Sequence, residues 1–285
     1  MLVYLNGSYV DRAAAAISIE DRGFLFGDGI YEVVRSIDAH FIERERHLRR
    51  LERSAREIRL DLSAAEADSL GDVALALLEK NGLSEGHAAV YMQVTRGVAT
   101  RKHAFPPSGT RPTVFVTSSR FTPLDKNHEH GIGVITHPDL RWGRCDIKSV
   151  NLLPNVLANQ AAHERGCYEA ILIRDGVVTE ATHSSLFGVV HGTLRTHPLA
   201  SSILPSVTRE IVLELARDGG LKLRESAITE RELADVDELF IASTTADVTP
   251  VISVDGKPVG DGTPGATTKL LQQAYRWHLK AAARA

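Results

Sequence analysis

Phe26-Gly27-Asp28-Gly29-Ile30-Tyr31-Glu32-Val33-Val34-Arg35 passes from a glycine-rich turn straight into β-branched and aromatic residues, the composition of a strand. If extended, the run places Tyr31, Val33 and Arg35 on one face, because side chains alternate along a strand. Upstream, Leu2 to Leu5 and Ser8 to Val10 flank Asn6-Gly7, a hairpin signature. Downstream, Leu48, Leu51, Ala55, Ile58 and Leu62 recur at spacings of three and four and predict one helical stripe. A second helix is predicted from Ser63 to Lys80, stopped by Asn81-Gly82. Strands fit Ala88 to Arg96 and Thr113 to Ser118, separated by a polar loop with Phe105-Pro106-Pro107. From Arg120 to Glu129 the chain turns polar, so residues 1–119 are expected to form a small N-terminal domain, 120–129 a linker and 130–285 a larger C-terminal domain. In that second part, strands at Gly133 to Thr136, Ala170 to Ile173, Leu186 to Val190 and Glu238 to Ala242 mix with helices. The helices fit Leu153 to Arg165, Ser206 to Asp218 and Thr267 to Ala283. Without a strict βαβ alternation, the expected class is α+β.

The 285 residues are 43% apolar and 24% charged, with a formal net charge of -3 and both signs interspersed. That charge is too small to steer the chain toward nucleic acid or an anionic membrane, which leaves small molecules and protein partners. Met1 to Val10 lacks the basic opening and long apolar core of a signal peptide. No stretch approaches the roughly 20 apolar residues of a membrane helix. Cys145 and Cys167 are too few for a disulfide framework or a four-cysteine zinc site, so a reducing cytoplasm is the simplest setting. His128-Glu129-His130 lacks the i, i+4 spacing of a zincin and reads as a solvated polar loop, with no metal expected. Phosphate loops, dinucleotide-binding glycine patterns and nucleophile elbows are missing from the sequence. Among eight lysines, Lys148 alone lies between a Trp-containing turn and a mainly apolar helix. Desolvation there favours a neutral, nucleophilic amine, suited to Schiff-base chemistry; a surface lysine is the competing reading.

Glu20-Asp21-Arg22-Gly23, Phe26-Gly27-Asp28-Gly29, Tyr31-Glu32-Val33-Val34 and Gln93-Val94-Thr95-Arg96-Gly97 form the first ordered blocks of a wider pattern. Arg144-Cys145-Asp146-Ile147-Lys148-Ser149, Gly166-Cys167-Tyr168-Glu169-Ala170-Ile171-Leu172, Ser243-Thr244-Thr245 and Thr249-Pro250-Val251 complete it. Over nearly its whole length the chain resembles the fold-type IV (class IV) pyridoxal-phosphate-dependent aminotransferases, and within them the bacterial D-amino acid enzymes. The resemblance implies an α+β fold of two domains with pyridoxal 5'-phosphate at their interface. It implies that Lys148 carries the cofactor as a Schiff base and then moves the proton from the substrate Cα. It assigns Glu180 to the pyridine nitrogen. The cofactor phosphate would take Arg50, Leu204, Val207 and Thr208 at a helix start, and Ser243 and Thr244 in a second turn.

Substrate recognition would use Tyr31 and Val33 on the early strand. Arg101 and His103 would come from a loop of the partner subunit, which makes the enzyme a homodimer. Thr182, His183 and Ser184 would line the substrate pocket. There the D-specific relatives carry a Ser-Ser-Ser-Asn run, and Pro205-Ser206 stands where a Lys-Gly pair is common; both departures bear on substrate range. The implied reaction is ping-pong transfer from a D-amino acid, such as D-alanine, to a 2-oxo acid, such as 2-oxoglutarate. An L-branched-chain aminotransferase, an aminodeoxychorismate lyase, an (R)-amine transaminase and a silent cofactor-binding protein are the alternatives.

Overall fold

The computed structural model describes residues 1–62 and 64–284. The chain divides into two compact units: Met1–Thr122 with Ile147–Asn151 and the chain end from Ala281, and Pro123–Asp146 with Leu152–Lys280.

The first unit is built on β1 (Leu2–Leu5), β2 (Ser8–Asp11), β3 (Gly29–Ile37), β4 (His40–Phe41), β5 (His87–Thr95) and β6 (Thr113–Arg120), with helices α1 (Arg22–Phe26), α2 (Arg44–Glu57) and α3 (Ala64–Lys80). Its sheet has the order β2-β1-β6-β5-β3-β4, and every pairing is antiparallel. Alternation along β3 sends Ile30 and Val34 into a core with Leu48, Leu51, Leu77, Val90 and Met92, and leaves Tyr31 and Val33 half-buried on the other face. The expected stripe from Leu48 to Leu62 is only partly helical, since α2 stops at Glu57 and Ile58 caps it. Two carbonyls at this end, Ile58 O and Arg59 O, accept hydrogen bonds from Arg96 at 2.6 and 2.9 Å, which offers the chain an alternative to another helical turn. Leu62 is buried all the same, in the loop.

The short segment Ile147–Asn151 belongs to this unit, although it lies beyond the expected domain boundary. β4 pairs with β3 only at Ser36 and Ile37, so the edge of β3 near Gly29 is open. The segment uses that edge: Tyr31 N donates to Lys148 O (3.0 Å) and Val150 N to Gly29 O (3.1 Å). Asn151 Nδ2 adds a strap to Gly27 O at 3.0 Å.

The second unit contains α4 (Asp125–His130), β7 (Ile132–Pro138), α5 (Leu153–Glu164), β8 (Glu169–Arg174), β9 (Val177–Ala181), β10 (Ser185–Val190), β11 (Thr193–Thr196), α6 (Val207–Asp218), β12 (Leu223–Glu225), β13 (Glu238–Ser243), β14 (Asp247–Val254), β15 (Lys257–Pro258) and α7 (Ala266–Ala282). The strands run β12-β11-β10-β13-β14-β7-β8-β9, with β15 on β14. β7 is parallel to both β8 and β14, and the sheet as a whole is mixed, as an α+β class requires. The sequence reading missed β9, β11, β12, β14 and β15. β14 includes Pro250, and its pairing with β7 begins only at Val251, past the residue that has no N–H to give that ladder.

His128-Glu129-His130 is not a solvated loop. It ends α4, where His128 is buried with its ring 2.9 Å from Ala246 O, and its carbonyl accepts from Gln272 of α7. Among the described residues no group of three or more His, Cys, Asp or Glu is placed to hold a metal ion. No helix of the described residues is long and apolar enough to cross a membrane.

Candidate functional site

In the first unit, the lysine singled out by its context meets the opening strand. Lys148 is half-buried, and its Nζ lies 4.4 Å from the centre of the Tyr31 ring. Tyr31 stacks on Tyr91 at 5.5 Å, and burial pushes the Tyr91 phenol up to about 12. Lys148 N donates to Ser54 Oγ on α2, so bonds on two sides fix the backbone from which the amine extends.

Beneath this surface, Glu32 is fully buried on the core face of β3. Arg50 grips it as a fork, with Nε to Oε1 at 2.6 Å and Nη2 to Oε2 at 2.8 Å, and His47 Nδ1 lies 2.8 Å from Oε2. Burial alone would raise the Glu32 carboxyl; Arg50 and His47 outweigh it and hold the group well below the usual carboxylate range. Two Arg50 donors are therefore committed to Glu32, while neighbouring Arg49 is exposed. Sequence reading missed Glu32. A glutamate on the buried face of a strand, 18 residues before an arginine, was the available signal.

Arg101 and His103 lie in the loop between β5 and β6, close to Phe26 rather than Tyr31. The Arg101 guanidinium is 5.2 Å from the Phe26 ring centre and the His103 ring 5.6 Å. Behind them Asp28 accepts from Arg22 Nε (2.8 Å), Arg96 Nε (2.8 Å) and Arg96 Nη2 (2.9 Å). Gly97 lets the loop leave β5: with φ at 90° it adopts a conformation that L side chains avoid, and a Cβ there would strike Arg111 O.

In the second unit Glu180, on β9, is buried. It accepts from Arg141 and from the Leu204 N–H, at 3.2 Å to each oxygen. Arg141 is itself clamped by Asp139, from Nε at 2.8 Å and Nη2 at 2.8 Å. Burial pushes the Glu180 carboxyl up, against the pull of Arg141 and the Leu204 amide. Neither Arg141 nor Asp139 stood out in the sequence, because Glu180 and Thr179, which tie the pair to β9, lie about 40 residues away.

Leu204 leads into the N-terminus of α6. Ser206 caps that helix by accepting from Arg209 N at 3.2 Å. Val207 and Thr208 are buried in the first turn, where a helix has no carbonyls of its own to offer their N–H groups. Ser243 and Thr244 form the turn between β13 and β14, with Ser243 Oγ accepting from Ala246 N. Thr182, His183 and Ser184 form the turn after β9, organised by buried Glu169: Thr182 Oγ1 (3.1 Å), His183 N (2.6 Å) and Ser184 Oγ (2.9 Å) all donate to it. Thr182 and Ser184 are buried by these bonds, whereas the His183 ring stands exposed. Each unit thus carries its own part of the expected residues: Lys148, Tyr31, Val33, Arg50, Arg101 and His103 in the first, the remainder in the second.

Residues 29–254 match the family described as amino-transferase class IV. The chain is 44% identical over 276 residues to a D-alanine aminotransferase of Bacillus licheniformis, covering 97% of this chain and 96% of that one. It is 39% identical to a D-alanine aminotransferase of Staphylococcus haemolyticus, covering 98% of each chain. Among solved structures, the branched-chain amino acid aminotransferase of Escherichia coli superposes with a TM-score of 0.87 at 27% identity, over 97% of this chain and 93% of that one.

Proposed function

The chain belongs to amino-transferase class IV, and on that premise we propose that it is a pyridoxal-phosphate-dependent D-amino acid aminotransferase, with D-alanine as donor and 2-oxoglutarate as acceptor. The observation that carries the substrate class is the 44% identity, over nearly the whole chain, to a D-alanine aminotransferase. The branched-chain enzyme shares the fold at 27% identity, which makes L-branched-chain substrates the reading to test against.

The donor set suits this cofactor. Glu180 is a buried carboxylate able to pair with a ring N–H, and the first turn of α6 offers buried amides and a positive dipole end to a phosphate. Leu204, Val207, Thr208, Ser243, Thr244 and Arg50 would hold the phosphate, Glu180 the ring nitrogen and Lys148 the aldehyde carbon. When bound, pyridoxal phosphate supplies the carbon that takes up the amino group and a ring that draws electrons from the substrate Cα.

The Lys148 amine, when free, would act as general base, taking the substrate's Cα proton and handing it on from the same side. Glu180, which Arg141 and the Leu204 amide pull back against the upward push of burial, would pair with a proton at the ring nitrogen. Tyr31 and Val33 line the substrate's approach. Arg101 offers a forked cation to the α-carboxylate, and His103 adds a second donor. Fixing the carboxylate on one side decides which enantiomer turns its hydrogen toward Lys148. His183, exposed beside this turn, would shape the side-chain pocket with Thr182 and Ser184.

The loop of Arg101 and His103 is read as serving the site of a second copy, so the active form is a homodimer. Exposed Leu153, Val156 and Leu157 on one side of α5 support an interface between copies. Cys145 and Cys167 are free thiols, which supports a reducing compartment, the cytoplasm.

The test is the visible spectrum of the purified holoenzyme during addition of D-alanine or, separately, L-leucine. Loss of the visible cofactor band with D-alanine alone, and its absence in Lys148→Ala, is the expected result. A response to L-leucine instead would hand the assignment to the branched-chain reading, and no cofactor band at all would overturn both.

A further inference from the structure

The loop that carries Arg101 and His103 is exposed from Thr100 to Phe105 and has neither helix nor strand in the described residues. Such a loop ordinarily samples many shapes, and ordering it on each binding event weakens the affinity for ligand. This loop is instead tied down at several points. Arg22 Nη1 donates to Lys102 O at 2.6 Å and to Ala104 O at 3.3 Å, on either side of His103. The Arg22 and Arg101 guanidinium groups both lie over the Phe26 ring, at 4.8 and 5.2 Å. Phe105 is sandwiched between Arg96 at 3.8 Å and Arg59 at 4.7 Å. Every one of these anchors except Arg59 and Arg101 runs through Arg22 or Arg96, and Asp28 binds both.

We propose that Asp28 is a positioning residue: clamped between Arg22 and Arg96, its carboxylate holds the Arg101–His103 loop ready for a substrate α-carboxylate. The proposal rests on the reading of Arg101 and His103 given above. Asp28 Oδ2 alone takes two guanidinium bonds and Oδ1 a third. Burial would raise the Asp28 carboxyl, but the bonds from Arg96 and Arg22 prevail and keep it below its ordinary range. It also lies well placed for this task, because Asp28 N donates to Arg22 O at 3.3 Å and Arg96 N donates to Asp28 O at 3.0 Å. Asparagine has the same shape but no charge, and its NH2 group would meet Arg96 Nη2 where Oδ1 now accepts, so the clamp loses both a bond and its charge.

The experiment compares Asp28→Asn, Arg101→Ala and the double variant as holoenzymes. Asp28→Asn is expected to raise KM for D-alanine about tenfold while kcat stays within about twofold, since ordering of the binding loop is what is lost. Trypsin should also nick the native protein after Arg101 and Lys102 about tenfold faster, because local opening exposes the bonds to the protease. In the Arg101→Ala background, Asp28→Asn should add nothing further to KM. Unchanged nicking, or an equal KM rise with Arg101 already removed, overturns the proposal and leaves Asp28 a purely structural residue. If Arg101→Ala itself leaves KM alone, the carboxylate reading of that arginine fails, and the role of Asp28 falls with it. Should Asp28→Asn not fold, Phe105→Leu takes its place, since Phe105 is 46% exposed. It must raise nicking and KM together; if both stay at the parent values, the proposal is wrong.

Discussion

At the residue scale, the site depends on carboxylates whose surroundings decide their charge. Glu32 has no exposure and owes its ionisation to Arg50 and His47. Removing one partner of a buried ion pair strands the other, so Glu32→Gln is expected to cost about 3–5 kcal/mol of stability. Its folded pKa is depressed below the unfolded value of 4.5, so this stabilisation is complete above pH 4.5 and is lost as the pH falls below it. His47 is lowered by burial against the opposing pull of Glu32, so the stability it costs as the pH drops below 6.5 is larger once Glu32 is removed. Urea titrations at several pH values should show the gap between parent and variant narrowing only in the acid range; a gap constant down to pH 3 would contradict the pairing. Lys148 drew notice because lysine is scarce and Tyr31 could be placed on a face because the strand alternates, while their roles came only with the resemblance. Glu32, Asp139, Arg141 and Glu169 could not be picked out, since a charged residue looks solvated until its buried partner is known.

At the element scale, periodic segments were readable and short ones were not. α3 and α6 bury helical stripes, and β3 alternates, so each carries its own signal over many residues. α2 ends where Arg96 reaches its carbonyls, which no local pattern announces. β9 has five residues and β11 four, too few for a period to stand out. The strap from Asn151 to Gly27 belongs to this scale as well. Gly27 closes α1 in the left-handed region at φ 66°, and a Cβ there would press on Asn151 Oδ1 at 2.5 Å. Gly27→Ala should therefore cost roughly 1–3 kcal/mol and weaken retention of the cofactor by the Lys148 segment. Denaturant midpoints and the cofactor released on dialysis would check the two effects; a variant as stable as the parent would contradict this reading of the turn.

At the scale of the whole molecule, the homodimer reading predicts complementation. On the proposed roles, Lys148→Ala chains would lack the amine and Arg101→Ala chains would bind the α-carboxylate poorly. If the loop serves the other subunit, a mixed dimer has one site with both residues intact. Dissociating and reassociating the two variants together should restore a D-alanine KM near the parent value, at up to about a quarter of the parent activity, since half the dimers are mixed and each has one good site. Failure of the mixture to lower KM below that of Arg101→Ala alone would place the loop over its own chain's site. The sequence by itself determined the α+β class and the family, because these rest on composition, periodicity and ordered local blocks. Only the tertiary structure decided that Ile147–Asn151 joins the first unit along the open edge of β3. It alone decided which acids are buried and by which arginines they are held: Glu32 by Arg50, Glu180 by Arg141, Asp28 by Arg22 and Arg96. The physical reason is that a charge acquires its energy from what surrounds it in space, and most of those neighbours are distant along the chain.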